Sequence, residues 1–177
     1  MVSIADQYHG AFLCDGVGLG KTFIGLMLIE SLIKRKRKRV ALFVPKAARK
    51  PVWENKLRQY LPELLFGEYS NLAIYNHTDL LRGGEYPERL QRVKEMADVI
   101  IVDEAHHFRN PGLKGDDPTV PLSHYWVMFN ICAGKDVYLL TATPVNNRLL
   151  DRANALSKYS PVVWHRQVPC SVRPVAR

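Results

Sequence analysis

Three short stretches of this sequence hold residues able to do phosphate chemistry. In "CDGVGLGKTF", residues 14–23, Gly20, Lys21 and Thr22 reproduce the end of the phosphate-binding pattern G-x-x-x-x-G-K-[ST], and Asp15 stands where that pattern opens with glycine. Gly18 and Gly20 allow backbone N–H groups to turn onto phosphate oxygens, and a helix starting just after them adds a favourable dipole. Lys21 is placed to reach β- and γ-phosphates, and the Thr22 hydroxyl to ligate Mg2+. A glycine-rich strand-to-helix turn with an incidental lysine is the alternative reading of these residues alone.

The second stretch is "VDEAHH", residues 102–107. A phosphate-bound Mg2+ takes a hard carboxylate at the end of a neighbouring strand, which is the place of Asp103. Glu104 can orient or deprotonate an attacking water, and His106 stands where a polar side chain could sense the γ-phosphate side. The alternative is that both acids merely end a strand in solvent; the apolar run before them argues against it, since a buried strand delivers its end to the sheet's crevice. The third stretch, "LLTATPVNN" at 139–147, brackets an alanine with Thr141 and Thr143 just before Pro144. By itself it reads as an ordinary strand-to-turn transition.

The elements that must position these residues alternate between short apolar runs and amphipathic stretches, the pattern of a parallel α/β sheet. Strands are expected at 10–14, 40–45, 71–75, 98–104 and 136–144, and helices at 21–34, 51–61, 87–97, 122–133 and 146–158. In the first helix Ile24, Leu28 and Leu32 line up at four-residue spacing. In the second, Pro51 suits a first helical position, and Trp53, Leu57 and Tyr60 align on one face. Residues 110–121, with three prolines and two glycines, read as a loop. In an open parallel sheet ligands bind outside the carboxyl ends of the strands. All three polar stretches fall at such ends, the main structural argument for an active site.

A chain of 177 residues suits one domain burying roughly two-thirds of its unfolded surface. No apolar run approaches the roughly 20 residues of a membrane span, and the first residues do not read as a signal peptide. Three scattered cysteines point neither to a disulfide framework nor to a metal site, so a reducing, cytoplasmic setting is expected. The net charge is +8, of which "KRKRKR" (34–39) holds six and the last thirteen residues three, leaving −1 for the rest. The basic balance therefore says little about partners. The basic run reads first as a solvated helix C-terminus complementing the dipole; contact with nucleic-acid phosphate and a nuclear-localisation signal are the alternatives.

Taken together, "GLGKT", "DEAH" and "TATP", in this order and each at a strand end, resemble motifs I, II and III of superfamily 2 helicases and translocases. The likeness is closest to the SWI/SNF-related branch, whose first motif usually reads D-E-x-G-L-G-K-T. Asp15 fits that branch, and Gly16 stands where glutamate is usual. "ALFVPKAARKPVWENKLRQYLP" resembles the family's motif Ia strand and following helix, and "HHFRN" its basic-plus-asparagine extension. The resemblance covers roughly residues 10–160. It implies an α/β, RecA-like three-layer sandwich with a mostly parallel central sheet of about five or more strands. It also implies an ATP- and Mg2+-binding ATPase directed at nucleic acid, with double-stranded DNA favoured. Residues Asp15, Gly16, Val17, Gly18, Leu19, Gly20, Lys21, Thr22 and His106 would then line the nucleotide, and Thr22 and Asp103 would hold Mg2+. Lys21, Asp103 and Glu104 would carry catalysis, while Thr141 and Thr143 couple nucleotide state to nucleic acid. Lys46, Arg109 and Asn110 would approach the phosphate backbone.

Two departures set further expectations. The family's adenine-reading glutamine lies well upstream of motif I, and Gln7 is only fourteen residues before Lys21. Residues 1–160 are read as a first RecA-like domain, and 161–177 as a disordered or out-of-family tail with no likeness to a second one. In such motors ATP sits between two domains and the second supplies an arginine finger, worth about 10³–10⁵ in rate in other phosphoryl-transfer systems. The chain is therefore expected to be a truncated form with slow hydrolysis by itself, or else a binding module without turnover.

Overall fold

The computed structural model describes residues 9–14, 20–66, 71–108, 110 and 122–141. Five short strands form one sheet: β1 (Gly10–Cys14), β2 (Val40–Val44), β3 (Leu72–Asn76), β4 (Val99–Asp103) and β5 (Asp136–Thr141). Their spatial order is β1-β5-β4-β2-β3, and all four pairings are parallel. Parallel neighbours need long crossovers, and helices supply them. Helix α1 (Lys21–Glu30) runs on into a π-helical turn, Ser31–Arg35. After β2 come α2 (Lys46–Ala48), a π-helical segment (Arg49–Glu54), α3 (Asn55–Tyr60) and α4 (Glu63–Phe66). A 3₁₀ turn (His77–Leu81) and α5 (Tyr86–Met96) follow β3. Another 3₁₀ turn (Ala105–Phe108) follows β4, and α6 (His124–Cys132) precedes β5. This is the expected three-layer α/β architecture, with five parallel strands between two helical layers. Among the described residues no helix is long and apolar enough to cross a membrane.

The alternation of side chains along each strand divides the core in two. Val40, Leu42, Val44, Val99, Ile101, Tyr138 and Leu140 face α1 and the helical stretch 46–66, where Leu28, Ile29, Trp53 and Leu57 are buried. Ala41, Phe43, Ile100, Val102, Val137 and Leu139 face α5, α6 and the two 3₁₀ turns, where Leu90, Phe108, Tyr125 and Met128 close the layer. Extending the same alternation places Asp103 on the α1 side and Thr141 on the α6 side. One strand end thus serves each layer.

The boundaries of the expected strands hold to within a residue or two up to 141, and the helix at 146–158 and the tail lie outside the described residues. The second helix differs. It starts at Lys46 behind Pro45, so Pro51 lies inside a continuous helical stretch and not at a first position. A proline lacks the N–H an α-helix would use there, and the chain forms a π-helical segment around it. Such segments often mark functional sites. Trp53 and Leu57 are fully buried, but Tyr60 is 50% exposed and packs edge-on against Phe23 at the surface.

Candidate functional site

Gly20 has φ 85°, a left-handed conformation that an L side chain adopts only with strain, and it caps α1: its carbonyl accepts from the Phe23 and Ile24 N–H groups at 2.9 and 3.1 Å. That sets Lys21 and Thr22 in the first turn of α1, which holds no acidic residue of its own. Asp15, Gly16, Val17, Gly18 and Leu19 lie outside the described residues, as do Arg109 and Thr143.

The carboxylate of Asp103 is nearly buried at the end of β4 and held on both oxygens. The indole Nε1–H of Trp53 donates to Oδ2 at 2.7 Å, and the Glu104 backbone N–H donates to Oδ1 at 3.0 Å. Burial pushes this carboxyl above its ordinary range; the Trp53 bond and the nearby Lys21 ammonium pull against that shift, and Glu104 adds to it. Lys21 and Asp103, distant in sequence, are thus brought within electrostatic reach of each other.

Glu104 turns the chain out of the sheet at φ 49°, a conformation costing a residue with a Cβ on the order of 1–2 kcal/mol. Its carbonyl accepts from the His107 N–H at 3.1 Å, which starts the 3₁₀ turn. Its Oε2 is buried and 3.1 Å from His106 Nδ1, an ion-pair distance without the alignment of a hydrogen bond. His106 Nδ1 also lies 3.2 Å from the hydroxyl of Thr141, which is fully buried at the end of β5. Motif II and motif III therefore meet through one imidazole. The His107 ring lies 4.5 Å from that of His106, tilted by 32°, and 5.4 Å from that of His77. Lys46 is exposed at the start of α2, and Asn110 is exposed beyond the 3₁₀ turn.

Two features lay outside what the residues announced. Trp53 read only as an apolar position, although a buried indole N–H must find an acceptor, and that requirement is the signal a sequence carries for it. The basic run sits at the opposite end of the sheet: Lys34 pairs with Glu30 and Glu63, and Arg39 with Asp98 at 3.0 Å just before β2. A cavity of about 250 Å³ lined by Arg39, Asn71, Tyr75 and Arg92 is also at that amino end and holds none of the site residues.

The donor set fits a phosphate-bound divalent cation. Mg2+ keeps several waters and takes only one or two carboxylates besides phosphate oxygens. Asp103 supplies one such carboxylate, and the buried Glu104 Oε2 lacks an aligned donor among the described residues, as an acceptor for bound water would. Among the described residues no group of three or more His, Cys, Asp or Glu is arranged to hold a metal by itself.

A family model described as type III restriction enzyme, res subunit, matches residues 3–146. The chain belongs to this family. Among its relatives, an uncharacterized ATP-dependent helicase of Bacillus subtilis, YqhH, is 29% identical over 167 residues. That match covers 89% of the chain and 28% of YqhH. An uncharacterized ATP-dependent helicase of Mycoplasma pneumoniae is 24% identical, over 84% of the chain and 14% of its own length. The fold is similar to the Sulfolobus solfataricus SWI2/SNF2 ATPase core solved in complex with dsDNA, with TM-score 0.59 and 22% identity over 85% of the chain and 31% of that one. It is also similar to a structure of the Sulfolobus solfataricus SWI2/SNF2 ATPase core domain, with TM-score 0.55 and 20% identity over 89% of the chain and 32% of that one. The chain thus spans less than a third of the length of each of these proteins. It is a helicase-type domain of superfamily 2, with the RecA-like fold expected of the first motor lobe.

Proposed function

We propose that this domain binds ATP with Mg2+ and serves as the first lobe of a nucleic-acid-directed motor, with double-stranded DNA as its track. The observation that carries this reading is the twice-anchored Asp103 at the carboxyl end of β4, in a sheet from which α1 starts with Lys21 after β1. Lys21 holds the β- and γ-phosphates from the first turn of α1, where the helix N-terminus favours an anion. Asp103 and Thr22 would hold Mg2+, which would supply charge neutralisation to the phosphate. Glu104, turned out of the strand, orients the attacking water and accepts its proton. His106 joins that carboxylate to Thr141, giving the third motif a direct contact with the hydrolytic residues.

Double-stranded DNA is favoured by the relative solved with dsDNA. Lys46, Arg109 and Asn110 are the proposed backbone contacts. A second RecA-like lobe, which would supply an arginine to the transition state, is a proposed partner, and residues 1–160 are the proposed limits of the first. The test is a turnover assay of the full chain with and without duplex DNA, using Lys21→Ala as control. Slow, lysine-dependent hydrolysis is expected. Nucleotide binding with no turnover above the variant would make the chain a binding module, and full-rate DNA-stimulated hydrolysis would overturn the need for a second lobe.

A further inference from the structure

Trp53 links the proposed metal carboxylate to the lysine helix. Its indole is fully buried, and its Nε1–H reaches Asp103 Oδ2 at 2.7 Å. The far end of the same ring is seated on α1. A Cβ added at Gly25, one turn after Lys21, would lie 2.5 Å from Trp53 Cη2 and 3.2 Å from Leu140 Cδ1. The ring therefore lies directly against the helix backbone, with no room for a side chain at Gly25.

We propose that Trp53 is the positioning residue of the Mg2+–nucleotide site: a rigid spacer between α1 and β4 whose N–H fixes the Asp103 carboxylate facing Lys21. A carboxylate has two lone pairs on each oxygen. Trp53 occupies one on Oδ2 and the Glu104 N–H one on Oδ1, leaving one on each for a cation or its waters. Without the indole bond the group keeps a single anchor and turns about its Cβ–Cγ bond. The π-helical segment is the local device that puts Trp53 there, carrying it inward while Lys50 and Pro51 stay exposed.

This role rests on the nucleotide reading above, and its test separates the two. Mg2+ is titrated into the full chain with ADP, reading nucleotide-dependent thermal stabilisation, and ADP binding is measured separately in EDTA. For Trp53→Phe the Mg2+ concentration at half effect rises about tenfold, within the 10–100-fold loss typical when a group that orients a metal ligand is removed. Binding in EDTA stays within about twofold, a split that general loss of packing would not give. Replacing Trp53 by β-(3-benzothienyl)alanine keeps the bicyclic shape without the N–H, and decides the matter if the phenylalanine variant fails to fold. A Mg2+ midpoint within about twofold of the parent, or parallel loss in EDTA, overturns the positioning role alone. Absence of any Mg2+-dependent nucleotide effect in the parent chain overturns both readings.

Discussion

At the scale of single residues, the site is built from groups whose burial sets their chemistry. Asp103 and Thr141 end buried strands, and Glu104 leaves one in a left-handed turn. His77, behind the histidine pair, is pushed down to about 4, chiefly by burial and then by His107. The sign follows from which state binds the proton. Above pH 6.5 neither form of the protein charges this group; between 6.5 and about 4 the unfolded chain takes up the proton and the folded chain does not. His77 alone should therefore remove about 3 kcal/mol of stability as pH falls through that window, with no further loss below it. Denaturant titrations at pH 7, 5.5 and 4.5 should give a flatter decline for His77→Phe than for the parent; equal declines would show that His77 is not the group responsible.

At the scale of elements, the strands that lead into the three chemical stretches were legible, because β-branched runs ending in polar residues have few other readings. "DVIIVDE" gives a strand buried on both sides, and the structure puts it between β5 and β2. What was hidden lay in the helical stretch 46–60. Periodicity assumes 3.6 residues per turn, and Pro51 with its π-helical neighbours breaks that assumption, so Tyr60 rotates out to solvent while Trp53 and Leu57 stay in. The 3₁₀ turns were hidden for a related reason. The turn at His77–Leu81 is fixed by a capping box in which Asn76 N–H and Nδ2 both donate to Asp79 Oδ2, at 2.8 and 2.9 Å, inside the fold. Gly25 gives the sharpest test at this scale. Alanine is favoured over glycine in a helix by about 1 kcal/mol, yet here its Cβ meets the Trp53 ring. Overpacking of this kind costs roughly 1–3 kcal/mol, so Gly25→Ala should lower the melting temperature; a rise would mean that the contact between α1 and Trp53 is loose.

At the scale of the whole molecule, the sheet separates two kinds of charge. The carboxyl ends of β1, β4 and β5 gather Lys21, Asp103, Glu104, His106 and Thr141, while the basic run and its acidic partners Glu30, Glu63 and Asp98 sit toward the amino end. That polarity is why a net charge of +8 was a poor guide to the site, and why the order of strand-end motifs was a good one. The proposed motor role needs a second lobe closing on the same carboxyl ends, but binding of nucleotide does not. Ligand binding to the folded state alone stabilises it by about 2.7 kcal/mol at a hundredfold excess over Kd. The most direct measurement is therefore thermal stability of the full chain and of Lys21→Ala, with and without saturating ADP and Mg2+. The account predicts a clear upward shift for the parent chain and little or none for the variant; equal shifts in the two proteins, or none in the parent, would contradict it.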